Sequence, residues 1–195
     1  MAKLDIASGY GPEDWGFESL QARQKFRAVP VMEKPHDYYM DEALKEARRA
    51  YEAGEVPVGC VIVHKGMVVA RAHNQVEMLR DATAHAEMIA ITQAGEAVGD
   101  WRLKGAVLYV TKEPCPMCAG AIVLSRLGGV IFGAGDPKAG AVVTVNDIRE
   151  IENQLNSDGR LDVVTGVREN ECSSLLRDFF IRKRKKKSGE VAESG

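Results

Sequence analysis

From Tyr39 onwards, apolar runs of strand length alternate with segments of helical period, and few folds accept that alternation. Met40, Ala43, Leu44, Ala47 and then Ala50 or Tyr51 recur at helical spacing, and Gly54 ends the run. Val58–Val63 and Met67–Arg71, joined at Lys65-Gly66, predict a β-hairpin. The pattern then predicts a helix over 84–94, a strand over Ala106–Thr111, a helix over Pro116–Ser125 and a short buried strand over Gly129–Phe132. A last strand is expected over Leu161–Thr165. Cys172, Leu175, Leu176, Phe179 and Phe180 form one apolar stripe of a closing helix. Strands alternating with helices imply crossovers and a sheet covered on both faces, an α/β domain of three layers.

The chain divides on this pattern into an N-terminal arm over 1–36, a domain over 37–181 and a basic tail over 182–195. The arm mixes Gly, Pro and charge with no sustained period, so it is expected to lie at the periphery. At 195 residues, 45% hydrophobic and 28% charged, the chain has the length and composition of one ordinary soluble domain. Val56–Val63, the longest apolar run, holds a Pro and a Gly and is far short of the about 20 residues a membrane span needs.

Charge is unevenly placed. There are 26 basic and 28 acidic residues, and six of the basic ones form the run Arg182–Lys187, so the rest of the chain is acidic by eight. A basic block on an acidic protein points weakly to a polyanionic partner, and a solvated, solubilising end explains it as well. The first thirty residues have no basic start followed by an apolar core, and they contain Asp5, Glu13, Asp14 and Glu18. Secretory and organelle leaders look otherwise, which makes a reducing, cytoplasmic setting the expectation.

In such a setting a close Cys pair suggests a metal or redox site. Two segments carry the chemistry: Thr83-Ala-His-Ala-Glu87 at the start of one helix, and Glu113-Pro-Cys-Pro-Met-Cys118 where a strand hands over to the next. His85, Cys115 and Cys118 make a good set of three zinc ligands, leaving a fourth position for water. Cys115 and Cys118 stand three apart, so both sulfurs face one side of a helix start, where the dipole favours thiolates. Glu87, two residues past His85, can reach a water at that centre without ligating it, as a general base that later returns the proton.

Each part has a plainer explanation. A Cys-x-x-Cys pair by itself also suits a dithiol redox centre. A closed structural zinc would need a fourth ligand, for which Cys60 and Cys172 are candidates, although both fall within apolar stripes and suit the core better. His36, His64 and His73 show no partner spacing. Taken together, the His-x-Glu and Pro-Cys-x-x-Cys segments match the signature of zinc nucleobase deaminases.

On these residues the chain resembles the zinc-dependent cytidine deaminase superfamily, and within it the branch that deaminates adenosine in tRNA. The likeness runs from Tyr39 to Lys183 and is carried by Glu55-Val-Pro-Val-Gly59, Asp81–Glu87, Leu108–Thr111, Glu113–Ala121, Ser125-Arg126, Phe132–Ala134 and Asp136-Pro-Lys-Ala-Gly-Ala141. It implies a three-layer α/β/α cytidine deaminase-like fold with a central mixed sheet of about five strands. It further implies one zinc per subunit on His85, Cys115 and Cys118, with Glu87 as proton shuttle while zinc-activated water attacks C6 of adenine and leaves inosine. The substrate would be the wobble adenosine of a tRNA anticodon stem-loop, splayed out of a single-stranded loop. Asn74 and the backbone N–H of Ala86 would meet the base, Val58 and Pro114 would wall the pocket, and Asp136 and Lys138 would lie near ribose and phosphate. A homodimer is implied as well.

Three features depart from that branch. Lys112 stands where many members carry Leu, Asn156-Ser-Asp-Gly-Arg160 replaces an Asn-His-Arg run, and the arm has no counterpart. Two rivals stay in view: a free-base or nucleotide deaminase of guanine or cytosine type, and a catalytically idle RNA-binding subunit, against which Glu87 argues.

Overall fold

Lys65 (φ 51°) and Gly66 (φ 76°) both adopt positive φ, the conformation a two-residue turn needs to match the twist of its strands. That turn joins β1 (Gly59–His64) to β2 (Met67–His73), so the hairpin forms where it was expected. The computed structural model describes residues 34–148, 150 and 161–192, with side chains as far as Lys185. The arm up to residue 33 and the altered 156–160 segment lie outside the described residues.

Before the hairpin comes α1 (His36–Glu52); after it come α2 (Val76–Leu79), α3 (Ala86–Val98), β3 (Val107–Lys112) and α4 (Pro116–Leu124). The chain closes with β4 (Gly129–Ala134), β5 (Asp162–Val164) and α5 (Glu169–Ala192). The strands form one five-stranded mixed sheet in the order β2-β1-β3-β4-β5. β1 is antiparallel to both neighbours, while β3, β4 and β5 run parallel.

Alternation along the strands sorts the core into two layers. Cys60, Ile62, Leu108, Val110, Val130 and Phe132 face α3 and α4, meeting Ala86, Ala90, Ala94, Ala119, Ile122 and Val123. Val61, Val63, Val107, Tyr109 and Ile131 face the other way, against Tyr39, Met40, Ala43 and Leu44 of α1 and Cys172 of α5. The positions its periodicity marks, Met40, Ala43, Leu44, Ala47 and Ala50, are buried, and Tyr39 and Glu46 are buried with them. A side chain on Gly59 would overlap the carbonyl oxygen of Ala43 and the nitrogen of Ala47, so glycine is what lets α1 lie so close to β1.

Two helices differ from expectation. Four-residue α2 is too short to display a period, and nothing in the pattern announced it. α5 does not stop with its apolar stripe but runs on through the basic block to Ala192. Lys and Arg are good helix formers, so helix and stripe need not end together.

Candidate active site

Parallel β3 and β4 end side by side, and the hairpin returns its own open end to the same edge: Asn74, just past β2, donates its N–H to the carbonyl of Val58 at 3.0 Å. The loop leading to α3 is tied down by Asp81, which accepts from the Thr83 backbone N–H at 2.8 Å and from the Thr83 hydroxyl at 2.7 Å. His85 caps α3 and Cys115 caps α4, so two helix N-termini open onto one spot.

At that spot His85 Nδ1 lies 3.7 Å from Cys115 Sγ and 3.5 Å from Cys118 Sγ, and the sulfurs are 3.7 Å apart. Bond lengths of about 2.3 Å to sulfur and about 2.0–2.1 Å to nitrogen give a tetrahedral site edges of about 3.8 Å and about 3.5 Å. The three donors therefore already form one face of a zinc-sized tetrahedron. Among the described residues the metal-capable group stops at these three. Cys60 and Cys172, the candidates for a fourth ligand, are buried in opposite core layers. A closed structural site is thus excluded within the described residues, and an imidazole touching both sulfurs is more than a plain dithiol centre requires.

Neither thiol is in a disulfide, and the contact between them pushes their acidities in opposite directions. The hydrogen bond from Cys118 and a second from His85 hold Cys115 down at about 3, against the effect of burial. The same Cys115–Cys118 bond, with burial, raises Cys118 well above the ordinary thiol value. The bond to Cys115 also raises His85. Glu87 is 4% exposed, and burial lifts its carboxyl above the usual range.

Beside this group opens a cavity of about 270 Å³ whose lining includes Val58, Asn74, His85, Glu87, Lys112 and Cys115. Of the sequence-marked residues, these gather at one place. Ala86 and Pro114 are buried behind the lining, Pro114 accepting the Ala141 N–H at 2.9 Å. Asp136 and Lys138 stand on the loop beyond the rim, the first buried and the second exposed.

Two carboxylates that organise the site received no role from the sequence. Glu55 is buried, accepts from Asn74 Nδ2 at 3.1 Å and from the Met78 N–H at 2.8 Å, and so fixes which way the Asn74 carboxamide points. Glu113, 2% exposed, accepts N–H bonds from Asp136 (2.9 Å), Val142 (3.2 Å), Val143 (2.9 Å) and Thr144 (2.9 Å), and one from the Thr144 hydroxyl. Burial alone would raise Glu113, but these donors outweigh it and hold the carboxyl below its ordinary value. Both residues stand inside the segments that carry the resemblance. Their partners lie 19 to 31 positions away in the chain, which no local pattern reveals.

A family model described as MafB19-like deaminase matches residues 34–184. The tRNA-specific adenosine deaminase of Bacillus subtilis (strain 168) is 52% identical over 151 residues, covering 77% of this chain and 92% of that protein. Among solved structures, one from studies of A-to-I editing by tRNA:A34 deaminases at the wobble position of transfer RNA is 46% identical with a TM-score of 0.65, covering 71% of this chain and 99% of that one. A guanine deaminase from Bacillus subtilis is 33% identical with a TM-score of 0.51, covering 64% of this chain and 79% of that one. The chain belongs to the tRNA-specific adenosine deaminase family.

Proposed function

We propose that the protein converts adenosine to inosine at the wobble position of a tRNA anticodon, consuming water and releasing ammonia. The observation that carries this reading is the tetrahedral face of His85, Cys115 and Cys118 opening, with buried Glu87, onto one cavity. One zinc per subunit suits these ligands, and when bound it supplies Lewis-acid activation of water.

Glu87 is the proton carrier. Its carboxylate takes the two protons of the attacking water in turn, delivering the first to N1 of the ring and the second to the departing amine. The Asn74 carboxamide, oriented by Glu55, reads the base edge, and the Ala86 N–H meets the base. Val58 forms one wall and Pro114 backs another. Asp136 and Lys138, on the loop that Glu113 shapes, face ribose and phosphate. A homodimer and a cytoplasmic setting complete the reading; among the described residues no helix is long and apolar enough to cross a membrane.

The test is direct. Purified protein is incubated separately with an anticodon stem-loop carrying a wobble adenosine and with free adenine, guanine and cytosine. Inosine at that one position and no turnover of the free bases is expected. Turnover of guanine or cytosine with an inert stem-loop would transfer the protein to the free-base class.

A further inference from the structure

Lys112 ends β3 at the position where the family resemblance places Leu in many members. It is the one Lys or Arg among the described residues lining the cavity, whose other charged lining residues are Glu55, Glu77, His85, Glu87 and Glu113. Four carboxylates line the cavity, Glu55, Glu87 and Glu113 buried in its walls and Glu77 exposed, and their negative charge repels an incoming phosphodiester. Yet the base of an RNA cannot enter without bringing its flanking phosphates to the rim.

The ammonium is held where it can offset that repulsion. Lys112 Nζ bonds Asp136 Oδ2, and Asp136 is itself anchored, its N–H on Glu113 Oε2 at 2.9 Å and its Oδ1 accepting the Lys138 N–H at 3.0 Å. An ammonium has three donors, of which Asp136 takes one. The Lys112 side chain keeps 32% of its surface exposed, so a second acceptor can approach without breaking the first bond.

The structure assigns Lys112 to substrate binding: its ammonium, pinned on one side by Asp136, grips a phosphate flanking the target adenosine. This rests on the tRNA reading above. Leucine at the same place could wall the cavity but could not bind an anion. The competing account is a clamp, in which Lys112 does no more than hold Asp136 and its loop.

Lys112→Met and Lys112→Arg are assayed on the stem-loop, and wild type and variants on two further stem-loops in which one or the other flanking phosphate is a neutral methylphosphonate. Loss of a charge-assisted contact should raise the KM of Lys112→Met about ten- to hundredfold, with kcat falling less than threefold and the salt slope flattening by about 0.7. Lys112→Arg should restore most of the KM. One methylphosphonate should cost the wild type a similar factor and cost Lys112→Met nothing more. Losses that simply add for both substrates, or a fall in kcat at unchanged KM, would leave only the clamp and overturn the assignment. If Lys112→Met does not fold, the wild type alone decides, because equal KM on all three stem-loops contradicts a phosphate grip. An inert wild type on the unmodified stem-loop would remove the tRNA reading, and this assignment with it, before any variant is made.

Discussion

Glu87 is buried in hydrogen-bonding contact with Cys118 and lines the cavity, an expensive place for a carboxylate that only fills space. Proton transfer by such a group is commonly worth about 10²–10⁴-fold. In the proposed reaction Glu87 serves water, ring and amine in turn, so Glu87→Ala should lose more than that in kcat and keep the metal content of the wild type, as metal analysis beside the stem-loop assay would reveal. Cys118→Ala should lose both. A zinc-loaded Glu87→Ala enzyme of near-normal rate would mean that another group moves the proton. Glu55 acts one step back, through Asn74. Glu55→Ala frees the carboxamide to turn, and misorientation of this kind costs on the order of 10²-fold in kcat/KM. Its metal content should match that of the wild type, which separates a turned amide from a collapsed site.

Among the elements, α3 and α4 are aimed by what precedes them, and α1 by what is missing beneath it. A methyl group at Gly59 meets backbone atoms of Ala43 and Ala47, which cannot rotate away. Gly59→Ala should therefore cost about 3 kcal/mol or more, at the upper end of overpacking effects, read as a lowered denaturation midpoint. The loop after β4 depends on Glu113 in the opposite sense, through what is present. Replacing its carboxylate with an amide sets an NH2 either against the Val142, Val143 and Thr144 N–H groups at Oε1 or against the Asp136 N–H at Oε2. Glu113→Gln should lose roughly 2–3 kcal/mol. Since the folded carboxyl is held below its ordinary value, its contribution is fully present above the unfolded pKa of about 4.3 and fades as pH falls through the lowered folded value. Wild type and variant should thus converge in stability in acid. A gap that stays constant from neutral pH down to acid would refute the charge-based account.

For the molecule as a whole, an acidic domain ends in a basic helix, and the helix returns to the active face. The Arg182 guanidinium lies 5.7 Å from the Tyr51 ring, and Lys183 Nζ lies 5.8 Å from the Phe179 ring and 3.7 Å from Glu77 Oε1, a residue of the cavity lining. These contacts are exposed and add little stability. Their value is position, since the block starts beside the mouth through which an anticodon loop would enter. Truncation after Ile181 should raise KM for the stem-loop at moderate salt and leave saturating kcat nearly unchanged. The salt dependence should flatten by roughly two to four units, at about 0.7 per phosphate neutralised on a single strand. Parallel salt lines with and without the tail would reduce the block to a solubilising end.

Much of this was legible in the chain because it depends on local order. The period of α1, the hairpin around Lys65-Gly66 and the alternating strands follow from side chains within a few residues of one another, and they suffice for a three-layer α/β domain. The metal-capable group was legible for a related reason: Cys115 and Cys118 belong to one helix start, and His85 announces itself by its spacing to Glu87. Tertiary structure alone decided the rest. Only the meeting of β3, β4 and the hairpin ends brings His85 to the two sulfurs, 30 and 33 residues on. It alone orients Asn74 through Glu55, suspends the 136–144 loop from Glu113, and joins Lys112 to Asp136. Periodicity reports which face of an element is buried; the partner of a buried charge is set by which distant segment the fold lays against it.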